Sequence, residues 1–259
     1  MAITNRLTPD SCLLFPYFCL PMKSRFDFED SILFKNEDYV LINKPPFIST
    51  LEDRNDSVNV LSVARNFIVD AQVCHRLDKD TSGVLAIATN PEAYRHLAMQ
   101  LEAREVSKVY HAIAEGVHDF KEQLVDASIL KQNDGTVKLA KTGKAAQTWF
   151  TTLEVMGAYT LMECRPVTGR MHQIRIHLAR LGASIAGDDL YGGKPVFLSK
   201  IKRGFNLKKF TDEEPLMRRM ALHAFSLEFL GLDGKKIKVE APYPKDFRVL
   251  LKQLRENRR

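Results

Sequence analysis

His75-Arg76-Leu77-Asp78-Lys79-Asp80-Thr81-Ser82-Gly83 gathers carboxylates, two cations, two hydroxyls and a glycine directly ahead of the apolar run Val84-Leu85-Ala86-Ile87-Ala88. Asp80, Thr81, Ser82 and Gly83 are turn formers, and the run that follows has the length of a buried strand. The segment therefore reads as a turn that delivers a strand into a core. By local rules alone Asp78 has a bland role, holding the turn through its own backbone as aspartates in Asx-turns do.

Working outward, Asp38 to Lys44 predicts a strand stopped by Pro45-Pro46, and Asp56 to Asp70 predicts a helix with Val60, Ala64 and Phe67 on one face. Asn90-Pro91 is a helix start, with Asn90 as cap and Pro91 in the first turn, followed by a stripe of Tyr94, Leu97, Ala98 and Leu101. Val106 to Ala114 alternates like a strand and carries Ser107-Lys108-Val109-Tyr110. A turn is expected at Asn133-Asp134-Gly135, and a strand at Tyr159 to Val167. Residues beyond that strand up to Leu181 fit a helix closed by Gly182, with Arg175 on the side away from Ile174 and Leu178. Strands at Ala221 to Phe229 and Lys235 to Glu240 flank a Gly231-Leu232-Asp233-Gly234 turn, and Pro244 to Glu256 should close the chain as a helix. Residues 1–30, broken by Pro9, Pro16 and Pro21, read as an irregular lead-in to one domain over residues 31–259.

Composition bounds the function classes. The 259 residues, 45% hydrophobic and 27% charged, suit a globular protein with a sizeable core. No apolar run reaches the roughly 18 to 20 residues that a membrane-spanning helix needs, so no membrane role and a cytoplasmic location are expected. The four cysteines, Cys12, Cys19, Cys74 and Cys164, form neither a CxxC pair nor a disulfide framework, so free thiols and no metal are expected. No Walker loop or dinucleotide fingerprint is present, and His172 and His177 miss the spacing of a helical zinc pair. The net charge of +6 hints at a polyanionic partner. Lys194, Lys200, Lys202, Arg203, Lys208 and Lys209 form a basic segment over residues 194–210 that contains no acid, and the tail from Lys245 is also rich in Lys and Arg.

Four strings in order lift Asp78 above a turn residue. The first, "HRLDKDTSGVLAIA", resembles the central motif of the RluA family of RNA pseudouridine synthases. Lys108 two residues before Tyr110, "TGRMHQIRIH" from Thr168 and "GDDLYGG" from Gly187 are similar to that family too, and "NKPPF" resembles its "NKPSG" with Pro46-Phe47 in place of Ser-Gly. The resemblance runs from about Asp38 to Pro244. It implies an α+β catalytic domain with a mixed, mainly antiparallel sheet, acting without a cofactor on ribosomal large-subunit or transfer RNA. Residues 1–30 read as too short and irregular for the separate N-terminal RNA-binding domain that many relatives carry, and action as a monomer is the default expectation. The resemblance also implies that Asp78 is the nucleophile, Arg175 its cationic partner, and Tyr110 a ring that stacks on the target uracil and assists a late deprotonation. A carboxylate suits the task, as glycosidase carboxylates do at anomeric carbons, and in a closed pocket it needs a cation or donors beside it. Whether Asp78 engages the anomeric carbon or a uracil ring carbon stays open. The target base must leave its stack, so Arg76 would fill the vacated space or grip the backbone, and Lys108, Arg170, Lys200, Lys202 and Arg203 are candidate phosphate contacts. Two rival classes are a catalytically inactive RNA-binding or chaperone module of the same fold, and a carbohydrate hydrolase built on Asp78 with a second acid.

Overall fold

The computed structural model describes residues 26–52, 58–207 and 211–258. Most of the lead-in, Cys12, Cys19, Lys208 and Lys209 lie outside the described residues. The backbone of the fold is a ten-stranded sheet. Its main path runs β1 (Ile32–Lys35), β2 (Tyr39–Lys44), β4 (Ser82–Ala88), β11 (Leu222–Leu230), β5 (Ser107–Glu115), β10 (Tyr159–Pro166), β9 (Gln147–Met156) and β6 (Gln123–Asp126). Two short strands sit off this path, β3 (Gln72–Val73) beside β4 and β12 (Lys236–Glu240) beside β11. A separate hairpin, β7 (Ile129–Lys131) and β8 (Val137–Leu139), encloses the expected Asn133-Asp134-Gly135 turn. The sheet is mixed and mainly antiparallel. Among the described residues the parallel pairing of named strands is β4 with β11, and it lasts two residues, Ser82 and Gly83 against His223 and Ala224.

That short junction explains Gly83. Its φ is +116°, and a Cβ there would fall 2.1 Å from the Ala224 carbonyl oxygen, so only glycine lets the two strands meet. The sequence reading began the strand at Val84; the structure begins it at Ser82, because the pairing with β11 recruits the two turn formers into the sheet.

Helices flank the sheet. In α2 (Pro91–Ala103) the Asn90 side chain accepts the Ala93 N–H, and the buried stripe is Ala93, Leu97 and Gln100, with Tyr94 left partly exposed. The expected stripe is thus turned by one position, since Gln100 exchanges both side-chain hydrogen bonds with the Leu230 backbone and draws that face inward. In α3 (Gln173–Arg180) Ile174 and Leu178 are buried, and in α5 (Lys245–Glu256) Phe247, Leu250, Leu251 and Leu254 form the apolar face; all join Phe150 and Cys164 of the sheet in the largest core cluster. Each such side chain stabilises the fold by about 1.5–3 kcal/mol on burial.

The expected helix from Asp56 to Asp70 is a correction. Residues 53–57 lie outside the described residues, and α1 spans only Val60–Ala64, locked at its start by a reciprocal box between Asn59 and Ser62. Beyond it the chain turns, and Phe67 is 52% exposed, with its ring stacked on Phe28 at 5.2 Å rather than set on a helix face. A fourth helix, α4 (Leu198–Ile201), is a single turn inside the basic segment. Among the described residues no helix is long and apolar enough to cross a membrane.

Candidate active site

The segment from His75 to Ser82 is held from outside at almost every residue. His75 Nε2 accepts the Ala86 N–H of β4 at 3.1 Å, and burial pushes its pKa down to about 4, so the ring is neutral. Thr50 clamps Leu77 twice, donating from Oγ1 to the Leu77 carbonyl at 2.8 Å and accepting its N–H at 3.1 Å. The Asp78 carbonyl accepts the Thr81 N–H and closes the turn. Lys44, at the end of β2 and fully buried, spends its three donors on the carbonyls of Pro45, Ile48 and Lys79. Burial and the nearby Arg219 charge pull its pKa down to about 7, against the opposing pull of Asp80 and Asp78. Arg219 donates to the Asp80 carbonyl at 2.7 Å, to Ser82 Oγ, and through two nitrogens to Asp246 of α5. Ser82 Oγ also meets His223 Nδ1 at 2.9 Å. These bonds fix the backbone and leave the Asp78 carboxylate, whose side chain is 25% exposed, pointing into a cleft.

The facing wall comes from α3 and the turn after it. Arg175 Nη1 lies 3.6 Å from Asp78 Oδ2, but its shorter bonds go to Asp188, Nε to Oδ2 at 2.7 Å and Nη2 to Oδ1 at 2.6 Å. The guanidinium also lies over the Tyr191 ring, 4.9 Å from its centroid. Tyr191 is fixed in turn: its hydroxyl accepts the Val137 N–H and bonds His172 Nδ1 at 2.9 Å. Burial works against the Arg175 charge, yet the Asp188 hydrogen bonds and charge more than offset it and its pKa rises. A bidentate partner on one side and a ring on the other hold this cation in one orientation, with Nη1 free to serve Asp78. His172 takes a left-handed φ of +51° at the head of α3, and burial lowers its pKa.

Between these walls is a cleft of about 440 Å³ lined by Asp78, Tyr110 and Arg175 together with Arg76, Lys108 and Arg170. Tyr110 projects from β5; burial first, and then the Asp78 charge, push its pKa up, so the ring is a neutral phenol. Lys108 stands two residues away on the same face, and Arg76 and Arg170 are exposed at the rim. Arg170 Nε is anchored on the Ala145 carbonyl. Lys200, Lys202 and Arg203 lie outside this lining, exposed on and just after α4. Cys74 lines the cleft, and burial pushes its thiol up to about 12, which leaves it unreactive. Among the described residues no group of three or more His, Cys, Asp or Glu is placed to hold a metal ion.

Asp78, Tyr110 and Arg175 fall inside one match. A family model described as RNA pseudouridylate synthase covers residues 38–180. The chain belongs to that family. The ribosomal large subunit pseudouridine synthase D of Xanthomonas campestris is 35% identical over 237 residues, which are 88% of this chain and 70% of that protein. The ribosomal large subunit pseudouridine synthase C of Escherichia coli is 32% identical, covering 88% of this chain and 71% of that protein. Among solved structures, human RNA pseudouridylate synthase domain containing 4 shares the fold with a TM-score of 0.68 at 24% identity, over 88% of this chain and 94% of that one.

For this pseudouridine synthase the sequence pointed to Asp78, Tyr110 and Arg175, and the fold brings them together. It missed Asp188, Tyr191, Arg219, Lys44 and Thr50. Within "GDDLYGG" an acid three residues before a tyrosine is the signal that could have suggested a holder for Arg175. Arg219 and Thr50 stand in no quoted string, so they carried no signal at all.

Proposed function

We propose that this isomerase converts uridine to pseudouridine in large-subunit ribosomal RNA, with Asp78 as nucleophile on a base flipped out of its stack. The observation that carries the reading is the Asp78 carboxylate 3.6 Å from a doubly held Arg175, in one cleft with Tyr110. In the reaction the bond from C1′ to N1 breaks, the uracil turns, and C1′ bonds C5; C5 gives up a proton and N1 takes one, so nothing is oxidised or reduced. Asp78 holds the carbon centre covalently between the two bonds, and Arg175 balances its charge before and after. The neutral Tyr110 phenol suits stacking on the base and donation of a hydrogen bond better than removal of the C5 proton.

The cleft admits a base only once it has left its stack, and Arg76 at the rim is placed to occupy the vacated position. Arg170 and Lys108 would take the adjoining phosphates, and Lys200, Lys202 and Arg203, outside the lining, would meet RNA further along. The names of the relatives favour ribosomal over transfer RNA. The named lining residues of the cleft all come from residues 31–259 of one chain, which supports a single catalytic domain acting as a monomer, and a ribosomal RNA substrate favours the cytoplasm.

The test is tritium release. Protein-free ribosomal RNA carrying tritium at uridine C5 should lose label to water with the wild-type protein and keep it with Asp78→Asn, while both proteins bind the RNA. Release from transfer RNA instead would change the substrate; binding without release from either would leave an RNA-binding module.

A further inference from the structure

A second groove, of about 320 Å³, adjoins the catalytic cleft and shares Lys108 and Pro166 with it. Its wall carries Trp149, the one tryptophan of the chain. On β9 the neighbours Thr148 and Phe150 are fully buried, whereas Trp149 is 37% exposed, so its ring leaves the core face and opens to solvent. It is flanked by Leu124 on β6 and Arg165 on β10. Arg165 is pinned by Glu122 at 2.7 Å and Glu163 at 3.4 Å, which makes it a fixed planar neighbour rather than a free charge. Arg104 and Lys108, on the same groove, have no ion-pair partner among the described residues. An exposed indole with Arg104 on its own groove and Lys108 at the border with the cleft has the make-up of a surface that takes unpaired nucleotides: bases stack on the ring, and phosphates meet the cations.

We infer that this groove is a stacking subsite for an unpaired nucleotide of the RNA strand that also feeds the target uridine into the cleft, an inference that rests on the proposed function. The strand crosses from one to the other over Lys108. Tyr110 registers through Cys164 with Phe150, so Trp149 stands on the sheet face opposite the cleft, and the RNA strand rounds the end of β10 at Lys108 and Pro166, which line both grooves. Stacking tolerates any base, so the subsite adds affinity without choosing sequence.

Because the chain has a single tryptophan, its emission reads this groove alone. A ten-nucleotide oligouridylate titrated into the wild-type protein should quench that emission along the same curve as the anisotropy of a dye on the RNA. Trp149→Ala should weaken binding about tenfold and raise KM for ribosomal RNA by a similar factor with kcat kept, while Trp149→Phe recovers most of the loss. Melting temperatures of both variants within a few degrees of wild type guard against a folding defect. Binding by anisotropy with unmoved emission would overturn the subsite, as would failure of the oligonucleotide to bind, or a Trp149→Ala protein with unchanged KM. Those failures are distinct from failure of the proposed function, which shows as absent tritium release from wild type while the quench and the Trp149→Ala loss remain.

Discussion

At the scale of single residues, two buried cations hold the consecutive carbonyls that follow Asp78, Lys44 on Lys79 and Arg219 on Asp80. Neither touches the cleft. Removing either leaves acceptors without donors in the interior, and the carboxylate they place drifts. Lys44→Met and Arg219→Met should each lower stability by roughly 2–4 kcal/mol. They should also cut kcat about a hundredfold, as displacements near 1 Å do, with KM for RNA nearly kept. Thermal melts and steady-state kinetics check both, and a variant that loses stability while keeping kcat would remove the clamp from the account. Asp188→Ala is the matching test on the other wall. Without its bidentate partner Arg175 should collapse onto Asp78, so kcat should fall by about two orders of magnitude while RNA affinity, measured by filter binding, stays. The clamps show why the sequence disclosed part of the site and not the rest. Asp78, Tyr110 and Arg175 sit in strings that carry a family pattern. Arg219 meets Asp80 across 139 positions of chain, and only the folded sheet brings them together.

At the scale of elements, the short parallel contact between β4 and β11 sets where the Asp78 turn ends. Gly83→Ala should fail to fold or lose more than about 4 kcal/mol, because a Cβ would enter the Ala224 carbonyl. Gly135 offers the contrast. It also has a positive φ, +82°, but nothing lies within 4 Å of its Cβ position, so Gly135→Ala in the β7–β8 turn should cost only about 1 kcal/mol. Urea unfolding of the pair separates close approach from backbone freedom, and equal losses would contradict the packing explanation. Six of the twelve described strands, β2, β4, β5, β10, β11 and β12, and two long helices were legible, since alternation, the Asn90-Pro91 start and the 3.6-residue stripe of α5 are local signals. The tail of the helix expected at Asp56 to Asp70 was not. Phe67 is recruited by Phe28, a partner that local spacing does not reveal.

At the scale of the whole molecule, two further histidines behave like His75. Burial pushes His111 and His223 down to about 4, the former stacked on Phe225 and the latter wedged between Ser82 and the Ala241 carbonyl. An unfolded imidazole takes its proton near 6.5, so the unfolded chain binds protons first as the pH falls. The contribution of the three rings should therefore be full above about pH 6.5 and drop between there and pH 4, by roughly 1.4 kcal/mol per pH unit for each ring, while the lowered Lys44 ammonium acts above that window and adds stability as the pH rises from about 7. Urea midpoints at stepped pH report this, and His223→Gln should flatten the slope in that window. The central claim concerns the reaction, and the most direct measurement maps pseudouridines in total RNA. Four strains are compared: intact gene, deletion, and deletion carrying either the wild-type gene or Asp78→Asn. The account predicts that one or a few sites in large-subunit ribosomal RNA vanish on deletion, return with the wild-type gene, and stay absent with Asp78→Asn. Return of those sites with Asp78→Asn would contradict the nucleophile, and survival of every site in the deletion, with no conversion by the purified protein, would contradict the activity itself.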